Sequence, residues 1–192
     1  MYANNLISSL QADSIMHFFS SKNGGGSSNH LTPEVSQAII DTLQEFFSSS
    51  ESKLNVSHVP DYIKHLGNES ILFVLGNKEE VMSNVLREIS SFSLEKITKV
   101  EIVRLSQITW ISMCSTTSGN STNFTMPMNH DGYLKLYQLR KPKLDLDFDV
   151  LLLDEAQDTN PAIQDIIMRQ KMCKVIVGDR HQAIYSFVGA ED

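Results

Sequence analysis

Cysteines and long apolar runs are scarce in this chain of 192 residues. Its 2 cysteines, Cys114 and Cys173, lie far apart without paired-ligand spacing, which argues against a structural zinc site and favours a reducing compartment. Because no stretch of about 18 apolar residues occurs, we predict no membrane span and no membrane partner. The first residues, MYANNLISSLQADS, lack the basic start and continuous apolar block of a secretory signal. The sequence therefore predicts a soluble intracellular protein.

Basic residues are in the minority, and the acidic ones are unevenly distributed. The chain has 16 Lys and Arg residues against 23 Asp and Glu residues, which argues against nucleic-acid binding by bulk electrostatics. Residues 1–144 hold 13 acidic and 12 basic side chains, whereas residues 145–192 hold 10 acidic and 4 basic ones. Acidity concentrated near the end of the chain suits a divalent-cation site better than a general solubility surface.

Helical patterns separated by Ser- and Gly-rich stretches dominate roughly the first 140 residues. The Ser- and Gly-rich stretches predict flexible loops, because they contain too few apolar side chains to order themselves; they lie at 20–30, 48–53 and 115–123. A helix is predicted over 31–47, with Thr32 as N-cap and Pro33 at the first helical position. Residues 78–90 show the same spacing, and 94–113 favour a helix by their length.

The pattern changes after residue 145. VLLL, at 150–153, is a short apolar run typical of a strand buried on both faces of a parallel sheet. A turn and a helix starting near Pro161 follow, and KVIVGD then predicts a second buried strand. Strand, helix and strand form a βαβ unit, in which ligands bind at the carboxyl ends of the strands. Asp154, Glu155 and Asp179 all occupy that position.

Asp154 and Glu155 are the first candidate site residues. Mg²⁺ usually takes one or two carboxylates together with waters and substrate phosphates. An Asp at a strand end can hold that ion, while the next residue orients and activates an attacking water. A solvated acidic turn explains the isolated pair equally well, so the pair alone leaves both interpretations open.

The segment GDRHQAIYSF, residues 178–187, supplies further candidates. The amide of Gln182 can contact a terminal phosphate, although a lone Gln in a loop is also an ordinary surface residue. In an extended loop Tyr185 and Phe187 face the same way and offer a stacking surface for bases, worth about 1–3 kcal/mol per base. Ordinary core packing is the alternative for both rings.

The two segments together are far more specific than either alone. DEAQD is followed, after 19 intervening residues, by GDxxQxIYxFxGA. This arrangement resembles motifs II and III of the UvrD-like superfamily 1 DNA helicases. HDGYLKLYQLRKP (130–142) and LQEFFSSSESKLNVSHVP resemble, more narrowly, the F-box DNA helicase branch of that family. The resemblance implies an α/β fold, in which residues 129–192 belong to a partial P-loop NTPase (RecA-like) core, subdomain 1A. Residues 1–128 then form a mostly helical inserted subdomain, 1B.

The resemblance also implies ATP and Mg²⁺ as cofactors. It implies that Asp154 and Glu155 hold the metal, that Glu155 activates the hydrolytic water, and that Gln182 senses the γ-phosphate. The remaining nucleotide-site positions, some of which couple motif II to its neighbours, are Gln157, Asp158 and Asp179.

DNA is the partner that the resemblance implies, both single-stranded and duplex. Phe187, with Tyr185 beside it, falls where the family places an aromatic that stacks on single-stranded DNA. Two positions depart from the family pattern: Arg180 replaces a proline, small or acidic residue, and Val188 replaces an arginine. The second departure removes a guanidinium that the family uses at motif III.

The phosphate-binding loop G-x-x-x-x-G-K-[ST] does not occur in the chain, and GGGSS at 24–28 lacks the flanking strand and lysine to replace it. We therefore expect the chain to be a fragment of a helicase, ending before the second motor domain and inactive by itself.

Three hypotheses follow. The leading one is an ATP-dependent 3′→5′ DNA helicase of the F-box type, acting in the nucleus in recombination and replication-stress repair. Ubiquitin-ligase components would be its partners through an F-box outside this chain. A non-catalytic remnant that binds DNA or protein is the first alternative, and a RecB-like helicase–nuclease is the second.

Overall fold

A computed structural model describes four stretches of the chain: residues 12–22, 31–65, 94–114 and 126–179. Within them the chain forms α-helices and a pair of parallel strands: α1 (Ala12–Lys22), α2 (Pro33–Ser48), α3 (Lys99–Cys114), α4 (His130–Leu139), β1 (Val150–Leu153), α5 (Pro161–Met168) and β2 (Cys173–Ile176). The α/β class is therefore confirmed for this part of the chain. Across these ranges no helix is long and apolar enough to cross a membrane. The helix predicted at 78–90 and the loop predicted at 115–123 lie outside the described residues.

The described residues belong to two compact units. The first contains the chain up to Leu43 and from Leu54 to Asn129. The second contains Gln44–Lys53 and the chain from His130 onward. The division between Leu43 and Gln44 falls within the residues of α2.

In the first unit, α2 forms as its sequence predicts. Pro33 opens the helix, and the Thr32 side chain accepts a hydrogen bond from the Val35 N–H at 3.4 Å. The apolar residues at helical spacing, Val35, Ala38, Ile39 and Leu43, are all fully buried. Burial of this face supplies the hydrophobic stabilisation of the helix.

Helix α3 confirms the prediction of a helix within 94–113. Its start is fixed by a capping box, in which Thr98 and Glu101 each accept a hydrogen bond from the backbone N–H of the other. The side chain of Gln107 donates to the Leu54 carbonyl at 3.3 Å, and Lys99 forms a 3.3 Å salt bridge with Asp61. Helix α3 is thereby joined to the irregular segment 54–65.

In the second unit, α4 packs against α5, and β1 pairs with β2 in parallel. The register places Val150 opposite Cys173 and Leu153 opposite Ile176. The predicted βαβ order is confirmed in the described residues. The prediction that both strands are buried on both faces is wrong, because β1 alternates between exposed and half-buried side chains and Leu152 is 75% exposed. With two strands paired in the described part of the chain, one face of the sheet remains accessible to solvent.

Two loop predictions also need correction. Ser20–Lys22 form the end of α1, so the low-complexity stretch at 20–30 begins as helix, and its residues from 23 onward lie outside the described ranges. The stretch 48–53 begins with the last residue of α2. Its following carbonyls, at Ser49, Ser50 and Glu51, accept hydrogen bonds from α4 side chains, which fix a segment predicted to be flexible.

Candidate functional site

Hydrogen bonds beyond the ends of β1 and β2 bring the two strand exits together. The Val177 N–H donates to the Leu153 carbonyl at 2.8 Å, and the Ala156 N–H donates back to the Val177 carbonyl at 2.9 Å. Residues 154–158, which carry the acidic motif, therefore lie beside the segment that leaves β2. This is the carboxyl edge of the sheet, where the sequence predicted a ligand site.

Asp154 lies at the tip of β1 with an exposed carboxylate. Its Oδ1 accepts a hydrogen bond from the Glu155 N–H at 3.0 Å, whereas Oδ2 has no hydrogen-bond partner among the described residues. The carboxylate of Asp154 thus lies exposed just after the end of β1, with Oδ1 bonded to the Glu155 N–H. That geometry suits a carboxylate ligand for a hydrated cation.

Glu155 adopts a left-handed backbone conformation, with φ 51° and ψ 44°. A residue with a β-carbon adopts this conformation at a cost of about 1–3 kcal/mol, and such strain clusters at functional sites. The left-handed residue turns the chain sharply out of β1 and into the 3₁₀ helix Ala156–Asp158. The Glu155 carbonyl accepts the Asp158 N–H at 2.9 Å, which closes this turn.

The side-chain amide of Gln157 connects Glu155 to the exit of β2. Its Nε2 donates to Glu155 Oε2 at 2.7 Å, and its Oε1 accepts the Asp179 N–H at 2.9 Å. Gln157 is only 9% exposed, so neither bond is freely exchanged for a bond to water. Burial makes an unpaired amide costly, about 1–3 kcal/mol, which favours keeping both bonds.

Gly178 is required by this arrangement. A β-carbon at this position would lie 2.6 Å from Gln157 Oε1 and 3.1 Å from the Ala156 nitrogen. The first distance is well below van der Waals contact, so the amide bridge and a larger residue at 178 exclude each other. The sequence motif contained Gly178, but its role depends on a contact across 21 residues of sequence and was not predicted.

Asp158 ends the 3₁₀ helix, and its Oδ1 is buried without a hydrogen-bond partner in the described part of the chain. Next to it the Thr159 hydroxyl donates to the Ala156 carbonyl at 2.7 Å. The Asn160 side chain then accepts the Ile163 N–H at 3.0 Å and caps α5, with Pro161 as the first helical residue. The acidic turn is therefore held between a strand and a capped helix.

Among the described residues, no group of three or more His, Cys, Asp and Glu side chains is arranged to hold a metal ion. A protein-enclosed metal site is thus not formed in these ranges. Asp154 and Glu155 instead provide the one or two carboxylates that suit Mg²⁺ bound jointly with phosphates and water. These two carboxylates are suited to Mg²⁺ that is shared with phosphates and water, and not to a metal ion held by protein ligands alone.

Of the predicted site residues, the structure brings together Asp154, Glu155, Gln157 and Asp179, and it places Asp158 one residue beyond Gln157 in the same turn. The remaining candidates Gln182, Tyr185 and Phe187 lie outside the described residues, as do Arg180 and Val188. The roles assigned to all of these side chains stay predictions.

Comparison with known proteins gives a family match over the C-terminal part of the chain. The UvrD/REP helicase N-terminal domain matches residues 105–192. F-box DNA helicase 1 of Gallus gallus is 35% identical over 154 residues, which are 80% of this chain and 13% of that protein. F-box DNA helicase protein 1 of Schizosaccharomyces pombe is 39% identical over 108 residues, which are 54% of this chain and 12% of that protein.

These similarities confirm the resemblance predicted from the two motifs. The matched region is a small part of either relative, so what those proteins do as wholes is not thereby shown for this chain. No solved structure matches the chain.

Proposed function

Since residues 105–192 match the UvrD/REP helicase N-terminal domain, we propose that they supply the hydrolysis carboxylates of an ATP-dependent 3′→5′ DNA helicase of the F-box type. The observation that supports this most directly is the pair Asp154 and Glu155 at the carboxyl edge of β1, beside the exit of β2. A strained, hydrogen-bonded turn holds both carboxylates outside the sheet. That is where a phosphate-bound cation would be accepted.

Asp154 and Glu155 divide the work in this proposal. Asp154 would ligate Mg²⁺ through its exposed carboxylate, and Mg²⁺ when bound would neutralise charge on the nucleotide phosphates. Glu155 would orient the attacking water and accept its proton. Gln182 would contact the terminal phosphate, and Gln157, Asp158 and Asp179 would connect motif II to the segment after β2.

The wider assignments are proposals of the same kind. Residues 129–192 would be part of a RecA-like core, and residues 1–128 a helical 1B-like subdomain. Phe187 and Tyr185 would stack on single-stranded DNA. The whole protein would act on DNA in the nucleus, in recombination and replication-stress repair, and would join ubiquitin-ligase components through an F-box outside these residues.

The test of this proposal is ATP hydrolysis in a form of the protein that includes a phosphate-binding loop. We expect Glu155→Gln to lower the DNA-stimulated kcat by a factor of about 10²–10⁴, because a general base contributes that much, with little change in KM for ATP. Asp154→Asn should raise the Mg²⁺ concentration needed for half-maximal activity. Asp147→Asn is the matched control, since this exposed aspartate lies outside the site, and it should leave both quantities unchanged.

The 192-residue chain without such a loop should bind ATP weakly and not unwind DNA. Strong DNA-stimulated hydrolysis by this chain, abolished by Glu155→Gln, would contradict that expectation. Unchanged hydrolysis in the longer Glu155→Gln protein would instead favour the alternative, a non-catalytic module that binds DNA or protein.

A further inference from the structure

We infer that Gln157 is a positioning residue that fixes the Glu155 carboxylate relative to the exit of β2, and that Gly178 is present to allow this. The inference rests on the proposed role of Glu155 in hydrolysis. It assigns to Gln157 a task that the acidic motif alone does not reveal. The residue acts through Glu155 and need not touch nucleotide or metal.

The first support is that the backbone N–H, the carbonyl and one carboxylate oxygen of Glu155 are held locally. Its N–H donates to Asp154 Oδ1, its carbonyl accepts the Asp158 N–H, and its carboxylate accepts Gln157 Nε2. The first two bonds fix a left-handed backbone, whereas the third alone fixes the direction of the side chain. A long, exposed glutamate otherwise samples several rotamers. Gln157 therefore removes the remaining freedom of the carboxylate.

The second support is that the glutamine side chain makes both bonds at this position. Its amide offers a donor and an acceptor at the end of the same side chain. Nε2 meets Glu155 at 2.7 Å while Oε1 meets the Asp179 N–H at 2.9 Å. A glutamate in its place retains an acceptor for Asp179 but has no donor for Glu155, and an apolar side chain retains neither.

The third support is the close approach of the Gly178 backbone to the amide. A β-carbon at 178 would lie 2.6 Å from Gln157 Oε1, so any larger residue displaces either the amide or the peptide that leads to Asp179. The partner of the bridge on the β2 side is thus a backbone group, the Asp179 N–H. The carboxylate of Glu155 is therefore tied, through Gln157, to the backbone position at the exit of β2.

The test measures the Glu155 side chain by nuclear magnetic resonance in the 192-residue chain, without nucleotide or metal. Three-bond couplings of its β-protons report whether one rotamer or an average is present. We expect a single rotamer in the unmodified chain and averaged couplings in Gln157→Met, Gln157→Glu and Gly178→Ala. Gln164→Met is the control, because it removes a hydrogen bond to the neighbouring Thr159 carbonyl, at 3.3 Å, while the bond from Gln157 to Glu155 stays in place, and it should leave the couplings unchanged.

A second measurement, exchange of the Asp179 amide proton with water, separates the two bonds of the bridge. Gln157→Met should speed this exchange by about two- to tenfold, the range expected for one lost hydrogen bond. Gln157→Glu should leave it within about twofold of the unmodified chain, because the acceptor for Asp179 remains.

Unchanged Glu155 couplings in both Gln157 variants would overturn the inference. Averaged couplings in the control as well would also overturn it, since the rotamer would then depend on the turn as a whole. If Gln157→Met does not fold, Gln157→Glu and Gly178→Ala decide the question alone. None of these readouts involves hydrolysis, so the inference can hold while the proposed function fails, and the reverse.

Discussion

Lys135 in α4 shows how much a single side chain can organise. It is fully buried, and its Nζ donates to the carbonyls of Ser49 and Glu51 at 2.9 and 2.5 Å. The ammonium also lies 4.3 Å from the centroid of the Phe46 ring. Carbonyls that follow the end of α2 are thereby satisfied by a charge from another helix.

Replacing this lysine should destabilise the second unit. In Lys135→Met the volume is nearly kept, but the Ser49 and Glu51 carbonyls lose a charged donor, so we expect a loss of about 1.5–3 kcal/mol in the free energy of unfolding. Arg140→Met, at an exposed position of the same chain segment, should change it by less than about 0.5 kcal/mol. Urea denaturation followed by circular dichroism measures both, and equal stability of the two variants would contradict the role assigned to Lys135.

The same lysine predicts a pH dependence. Burial lowers the pKa of Lys135 to about 8, despite the opposing charges of Asp165 and Glu51. Between pH 8 and the ordinary lysine pKa of 10.5 the unfolded chain therefore binds more protons than the folded chain, and stability rises with pH. We expect the free energy of unfolding of the unmodified chain, relative to that of Lys135→Met, to rise by up to about 1.4 kcal/mol per pH unit in this window. A constant difference from pH 7.5 to 10.5 would contradict this.

Sequence patterns did not predict these residue-scale features. A lysine between two leucines is typical of an exposed helix position, and its burial depends on carbonyls 84 and 86 residues earlier in the chain. Glutamate has little preference for the left-handed region, so nothing local marked Glu155. Its role as a candidate carboxylate was predictable, because strand ends followed by acidic residues indicate a cation site. The bridge through Gln157 was not, because its atoms meet only after β1 and β2 pair.

At the scale of elements, local signals were more informative. Helix α2 and the start of α5 formed where Pro33 and Pro161 predicted them, since proline fits the first turn. The strand–helix–strand order followed from two short apolar runs. The prediction that the strands are buried was wrong for a physical reason. A continuous apolar run indicates side chains that favour burial, but it does not show which other parts of the protein pack against them.

The end of α4 has a left-handed residue that the sequence does not predict, because no glycine stands there. Lys141 follows this helix with φ 51°, and its N–H donates to the Gln138 carbonyl at 3.0 Å. Glycine is the usual residue in this left-handed position.

Lys141→Gly should therefore stabilise the second unit by about 0.5–1 kcal/mol, the relief of strain exceeding the entropy that glycine adds to the unfolded chain. Lys143→Gly is the matched control, because Lys143 has a negative φ of −110° and glycine relieves no strain there. Thermal unfolding of both variants measures the effect. A lower melting temperature for Lys141→Gly than for Lys143→Gly would contradict it.

At the scale of the whole molecule, the parallel sheet combines an apolar composition with an accessible face. Val150 in β1 and Val175 in β2 are 50% and 45% exposed, and Leu152 is more exposed than either. Apolar surface that stays in water contributes little to folding. The core of the second unit depends instead on α5, where Ala162 is fully buried and Ile166 nearly so.

The effects of substitutions on stability should therefore differ between the exposed strand β1 and the buried face of α5. We expect Leu152→Thr to change the free energy of unfolding of the 192-residue chain by less than about 0.5 kcal/mol, because the exposed leucine side chain buries little apolar surface that the substitution could remove. Ile166→Thr should cost about 2–4 kcal/mol, since it opens a cavity and buries a hydroxyl. Urea titration of both variants provides the comparison. A loss for Leu152→Thr as large as that for Ile166→Thr would show that β1 is covered in solution.

The burial of Lys135 has a practical consequence for covalent labelling. Amine-reactive acylating reagents modify lysines that are both deprotonated and accessible, and at mildly alkaline pH a lowered pKa gives Lys135 a larger neutral fraction than an ordinary lysine. Its enclosure nevertheless denies the reagent access while the second unit is folded. The rate at which Lys135 is acylated, measured by mass spectrometry and compared with the rate for exposed Lys141, therefore reports how often the second unit opens by local unfolding.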